Sequence, residues 1–357
     1  MRKGYFVRIR ILATLAALTC AGLASSAIAQ TTTPRFATLT PRYLENVLAP
    51  ATPTVTHWSG TLTPGGTAFS MVGTDPQTTN TTTTVTAYLI PVRIVITPTP
   101  TGIFDPAHVL SNGRTVIQNT ALSPIFNSGI DFVQGGVDLG NTQYIDAFQR
   151  GNFWSDVLGN PNYHVLLNLV VLPEVTISAP APSGKIATEF GVRAALVDIN
   201  FFDAKLQQII SSNTQITPDS LPIALTYDTY LTSGGGCCVG GYHSAFGSAG
   251  SPQTYSHFTY IDRPGVFAQD VSALSHEVGE WIDDPFVNNP GCGGLLETGD
   301  PLEGQANFGS SPYTLNGFTY NLQDLVFLQY FGQSPSTSVN HWFSFQNANL
   351  SVCSNGQ

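Results

Sequence analysis

Charge is what this chain has least of. Asp, Glu, Lys and Arg make up 10% of its 357 residues, against roughly 25% in an average soluble domain. Cations are the scarcer kind: 13 Lys and Arg face 23 Asp and Glu, for a formal charge of -10. That balance argues against nucleic-acid binding through a basic footprint and against polybasic attachment to a membrane surface. Beyond the amino-terminal segment, no apolar run reaches the roughly 20 residues of a membrane span. What fills the gap is Thr, Ser and Asn with 34 Gly and 24 Pro, beside 42% hydrophobic and 11% aromatic residues. Such a composition suits strands, turns and a sizeable core rather than charged surface helices. The length fits one large domain or two small ones.

The start of the chain reads as an address. Arg2, Lys3, Arg8 and Arg10 precede an apolar run over 11–23, and Ala27-Ile28-Ala29 supplies small residues before Gln30. This pattern predicts a secretory signal peptide over 1–29, with a secreted protein, extracellular or periplasmic, as the product. Cleavage there removes four basic residues and no acidic one, taking the charge from -10 to -14. Four cysteines remain: Cys237, Cys238, Cys292 and Cys353. An even count outside the cytosol favours disulfides, with three possible pairings. Cys292–Cys353 is the favoured bond, closing a loop of about 60 residues and removing roughly 4 kcal/mol of unfolded-chain freedom. Cys237 and Cys238 are then left to a vicinal bond or to the reduced form.

Residues 30–62 cluster Thr and Pro and read as an extended arm, and 75–84 as a polar loop. The remainder, 63–357, reads as a single α+β domain with a mixed sheet core. Strands are expected over 85–97, 164–177 and 221–231, where Val, Ile and Tyr concentrate. Helical segments are expected over 114–122 and 141–158, and from about Phe202 to 210. The loop 234–241 (GGGCCVGG) lacks the Gly-Lys-Ser/Thr ending of a phosphate loop and reads as a turn that lets two backbones approach closely.

The stretch that carries chemistry is 270–285, DVSALSHEVGEWIDDP. It reads as a helix with Asp270 as N-cap and Pro285 as the stop. At 100° per residue Val271, Leu274, Val278, Trp281 and Ile282 share one arc, while His276, Glu280 and Asp283 lie opposite. His276 and Glu280, at i and i+4, stand one turn apart and can chelate one ion. In a His-Glu-x-x-His metalloprotease helix the Glu after the first His binds no metal and takes a proton from the attacking water. Glu277 holds that position here. The second His is replaced by Glu280, a carboxylate that Zn²⁺ also accepts.

Seven acidic residues fall between Glu277 and Glu303, and no Lys or Arg follows Arg263. Such a cluster repels itself unless it protonates or binds a cation. Zinc is the expected ion, and a calcium-type oxygen site is the alternative. The third ligand has to come from beyond the helix, and Glu297 and Asp300 are both candidates. Asp284 reads as an outer partner that orients His276 or ties down the loop. His243 and His257 are auxiliary candidates. Ser244 and Ser275 have no Gly-x-Ser-x-Gly elbow beside them, which argues against a serine hydrolase.

SHEVGEWIDDP resembles the HELAEA(V/I)TDP signature of the secreted phosphate-induced, Exordium-like proteins and their bacterial zincin-like relatives. Glu297 to Asp300 matches the E-x-x-D that follows the helix in that pattern. Cys237, Cys238 and Gly241-Tyr242-His243 match a Cys-rich Gly-Tyr-His segment before it. The resemblance covers roughly 230–305 and implies a zincin-like metal-binding helix in the C-terminal half of a secreted protein. Two functions stand on these residues. The first is a secreted zinc-dependent hydrolase, a metallopeptidase acting on polypeptide. The second is a non-catalytic secreted or cell-surface protein that binds a cell-envelope component and whose metal only stabilises the fold. Neither requires nucleic acid or a transmembrane anchor.

Overall fold

A computed structural model describes residues 34–37, 39–44, 54–62, 67–98, 102–291, 294–328, 337–342 and 344–346. The signal peptide expected over 1–29 and the Cys292–Cys353 bond lie outside these residues. Among the described residues no helix is long and apolar enough to cross a membrane.

The architecture is mixed α+β and mostly sheet. Its backbone is the strand Thr82–Thr97, which the sequence places at 85–97. Side chains alternate across a strand, and here the alternation feeds two cores. Val85, Ala87 and Leu89 enter one, while Ile90, Val92, Ile94 and Ile96 enter the other. A strand buried on both faces has to be central. Accordingly Leu221–Tyr227 pairs parallel to it on one edge, and His164–Val171 followed by Val175–Pro180 pair parallel on the other. Beyond Leu221–Tyr227 come the antiparallel strands Ser251–Tyr260 and Gly241–Ser248, and then Arg42–Leu44. A second sheet orders Gly184–Glu189, Val192–Asp198, Thr229–Ser233 and Gly236–Val239.

Helix Ile199–Ser212 sends Phe202 and Leu206 into the second core, with Tyr242 and Tyr255. The helices Tyr144–Asn152 and Ser272–Asp283 belong to the first, through Phe148, Leu274, Val278 and Trp281. The sheet is therefore covered on both faces.

Several expectations are refined. The run 164–177 is two strands that follow one edge of Thr82–Thr97 in succession. The run 221–231 breaks at Asp228, whose φ of 41° turns the chain out of the large sheet and into the second one. The Gly-rich loop is a tight turn at Gly234-Gly235 followed by a strand, Gly236–Val239. Cys237 and Cys238 are bonded to each other.

The segment expected as an extended arm, 30–62, is packed rather than free where it is described. His57–Leu62 forms a hairpin with Thr67–Val72. Arg42–Leu44 adds a parallel strand to the large sheet. Phe36 is buried in the first core. Thr and Pro mark the segment as irregular, but Phe36 and Trp58 give it apolar surface to bury.

Candidate metal centre

The site is built on helix Ser272–Asp283, every residue of which is buried. Asp270 does not cap it. Val271 takes the N-cap position without a side-chain bond. Asp270, at a φ of 40°, accepts instead from the Val271 N–H at 2.5 Å and from Asn321 N and Nδ2 at 2.9 and 2.8 Å. Its carboxylate thus ties the start of the helix to the strand Phe318–Gln323. The helix ends at Asp283, ahead of Pro285, as the sequence requires.

The apolar arc packs as expected, with Trp281 Nε1 donating to Thr254 Oγ1 at 3.0 Å. The opposite arc does not face solvent. His276, Glu277, Glu280 and Asp283 are all buried. The strands Gly241–Ser248 and Ser251–Tyr260, the hairpin Ser310–Leu315/Phe318–Gln323 and the loop after the helix enclose it.

His276 is held from both sides. Its Nδ1 meets Gln323 Oε1. The Gln323 amide is oriented by Nε2, which donates to the Phe308 carbonyl at 3.0 Å. Nδ1 is therefore committed to Gln323, which leaves Nε2 as the ring nitrogen that faces the carboxylates. That Nε2 lies 3.0 Å from Glu280 Oε2 and 3.5 Å from Asp300 Oδ1, with no hydrogen-bond partner. A ring nitrogen and a carboxylate oxygen this close need a proton or a cation between them. Glu280 Oε1 is fixed by the Gly299 N–H at 2.9 Å. A Cβ at Gly299 would run into the His276 ring, so the loop reaches this position because residue 299 has no side chain.

His243 comes from strand Gly241–Ser248. Its Nδ1 lies 3.4 Å from Glu277 Oε2 and 3.6 Å from Glu280 Oε2. Burial is the main cause that lowers its pKa to about 3, and His276 lowers it further. His243 is therefore a neutral imidazole, the form that ligates metal. Glu277 is enclosed, and neither carboxylate oxygen has a hydrogen-bond partner.

Three groups of potential donors emerge around the pair His276–Glu280, one of them the pair itself with Glu277. His243, Glu280 and Glu297 bring their ligand atoms within 4.8 Å of one another, and so do His276, Asp300 and Glu303. Burial first, then neighbouring carboxylates, raises Glu277 and Glu280 well above the ordinary range. Asp300 and Glu303 are lifted to about 6 and about 7, also by burial first. This is the physical signature of carboxylates gathered without enough positive charge.

The structure thus places Glu277 with His276 and Glu280, Glu297 with His243 and Glu280, and Asp300 with His276 and Glu303. Glu297 is buried beside His243 and Glu280, whereas the Asp300 side chain is 43% exposed at the rim. Asp284 takes the loop-tying role: its Oδ1 accepts from Asn288 and Asn289 N–H at 2.9 and 3.0 Å. His257 is not at the site; its Nε2 pairs with Thr226 Oγ1 at 3.0 Å. Ser275 Oγ donates to the Ser272 carbonyl and accepts from the Gln323 N–H. Ser244 Oγ donates to the Leu39 carbonyl.

Gln323 and Glu303 gain roles that the sequence reading does not assign. Glu303 is visible in sequence as part of the acidic run. Nothing in the sequence singles out Gln323, because only the hairpin fold brings it to His276. No family model, curated protein or solved structure matches this chain.

Proposed function

We propose that this protein is a secreted zinc-dependent hydrolase of metallopeptidase type, with a zincin-like helix whose second histidine is a glutamate. The observation that carries the reading is the His276–Glu280 pair. His276 Nε2 and a Glu280 carboxylate oxygen face each other at 3.0 Å, both side chains buried, with Nδ1 already committed to Gln323.

His276, Glu280 and Glu297 hold the ion, and His243 stands as the fourth donor. Two imidazoles in the set favour zinc over calcium, which takes six to eight oxygens. When bound, zinc supplies a Lewis acid that polarises a scissile carbonyl and acidifies water. Glu277 has both oxygens unpartnered beside the donors, so it takes the proton of the attacking water and passes it to the leaving amine. Asp300 and Glu303 line the rim. The Exordium-like resemblance of SHEVGEWIDDP and the Cys237–Cys238 disulfide both suit an exported protein.

A second reading, a structural zinc site in a binding protein, draws on the enclosure of the donors, since structural sites are closed. One comparison separates the two. Purified protein is expected to hold about one equivalent of zinc by elemental analysis. Glu277→Gln is expected to keep that zinc while cleavage of a peptide library falls by roughly 10²–10⁴. Zinc retained in both with no cleavage by either favours the structural site. Protein without zinc defeats both readings.

A further inference from the structure

The donors are closed in by the chain's own amino-terminal segment. Residues 34–37 and 39–44 run along the strands that carry Val239 and His243. The Arg35 N–H donates to the Cys238 carbonyl at 2.9 Å, and the Gly240 N–H donates back to the Arg35 carbonyl at 3.1 Å. The Ala37 N–H donates to the Gly241 carbonyl at 3.1 Å. Farther on, Arg42–Leu44 continues as a parallel strand against Phe246–Ser248.

Phe36 is the anchor. It is 5% exposed, and its ring lies on His276 with centroids 3.9 Å apart. Its backbone N–H donates to Glu303 Oε1 at 2.6 Å. Gly240 makes room for it: a Cβ there would lie 2.9 Å from Phe36 Cε1. Arg35 is exposed and directly precedes Phe36, whose N–H is held by Glu303 in the acidic loop. No Lys or Arg follows Arg263, so this segment supplies a cation that the acidic loop does not have of its own.

Resting on the zinc-hydrolase reading, we propose that residues 34–37 and 39–44 occupy the polypeptide groove of the site as an internal pseudosubstrate. Two consequences follow. The chain in this state is latent, because Phe36 covers the His276 face through which a substrate would reach the ion. The groove also declares what it takes: an extended peptide that pairs edge-on with 238–241, carries an aromatic side chain to rest on His276, and has a basic residue before it for Asp300 and Glu303. Main-chain pairing of this kind gives affinity, while pockets for individual side chains give selectivity.

The test uses the full chain loaded with zinc, alone and as Arg35→Glu. Arg35 is exposed, so this change leaves the core intact while setting a carboxylate against Asp300 and Glu303. Phe36→Gly serves as a second variant that removes the ring itself. Zinc release to a colorimetric chelator is expected to be at least tenfold faster from either variant than from the native chain. A fluorescent peptide of residues 34–44, PRFATLTPRYL, is expected to bind the Arg35→Glu chain and slow its zinc release. It should bind the native chain at least tenfold more weakly, and its Phe→Ser version should bind neither. Equal release rates from the native chain and both variants, or equal peptide binding by native and Arg35→Glu chains, overturn the proposal. If the proteins hold no zinc, the zinc-hydrolase reading fails while the peptide-binding comparison still decides whether 34–44 fills a groove.

Discussion

Gly241 makes the space that Glu277 occupies. A Cβ at position 241 would lie 2.6 Å from Glu277 Oε1 and 2.8 Å from its Cγ. It would also lie 2.9 Å from the His257 carbonyl, a backbone atom with little freedom to retreat. The Gly-Tyr-His segment therefore does two things at once: it sets the His243 imidazole beside Glu277 and Glu280, and two residues earlier it leaves room for Glu277.

Gly241→Ala is expected to cost about 1–3 kcal/mol of stability, the range for forcing extra volume into a packed core. It should also move Glu277. Urea unfolding measures the first effect. Retained zinc with hydrolysis reduced at least tenfold would register the second.

The two candidate third ligands separate by position. Glu297→Ala is expected to weaken zinc binding far more than Asp300→Ala, because Glu297 is buried against His243 and Glu280 while Asp300 sits at the rim. Competition against a chelator of known affinity reads both. Equal losses would mean that the ion lies closer to the His276–Asp300–Glu303 group.

Gln323→Leu is expected to weaken zinc binding about 10–100-fold, the usual consequence of removing the partner that orients a ligand histidine. The change leaves every donor in place. Gln323→Glu should recover most of the loss, since a carboxylate can again accept from Nδ1. Titration of the two variants with zinc checks the difference.

Two carboxyls away from the donors add to the pH dependence of stability that the raised carboxyls of the site give the metal-free protein. Asp270 is raised to about 7 and Asp324 to about 6, in both cases chiefly by burial, with hydrogen bonds opposing. An unfolded Asp titrates near 4. Between those values the folded state binds more protons, so stability is greatest in the acidic range and falls as pH rises through 6 and 7. Urea melts in chelator at pH 5 and pH 8 are expected to show the metal-free protein more stable at pH 5. Asp270→Asn should shrink that difference.

Much of the site was legible in sequence because a helix imposes its own geometry. The i, i+4 spacing of His276 and Glu280 and the acidic run to Glu303 need no tertiary information. The apolar arc through Leu274, Val278 and Trp281 was likewise set by periodicity. The burial of the polar arc is not legible in the same way: periodicity shows which residues share a face, not whether something else covers it. His243, Gln323 and Phe36 reach the site by sheet pairing and hairpin folding, which local pattern does not encode. The strands around Thr82–Thr97 were recognisable by their β-branched residues. The breaks at Asp228 and between Val171 and Val175 were not, since they depend on which sheet edge receives the next strand.

The contact between Phe36 and Glu303 spans 267 positions of chain. Loop closure on that scale is slow to form and is rewarded only after the intervening sheet exists. The seating of Phe36 beside Glu303 is thus a late product of folding, whereas His243, His276, Glu280 and Glu297 lie in one stretch of chain and can meet before it. Protection of His276 by Phe36 is therefore expected to lag the recovery of secondary structure during refolding, making that contact a reporter of the finished tertiary fold.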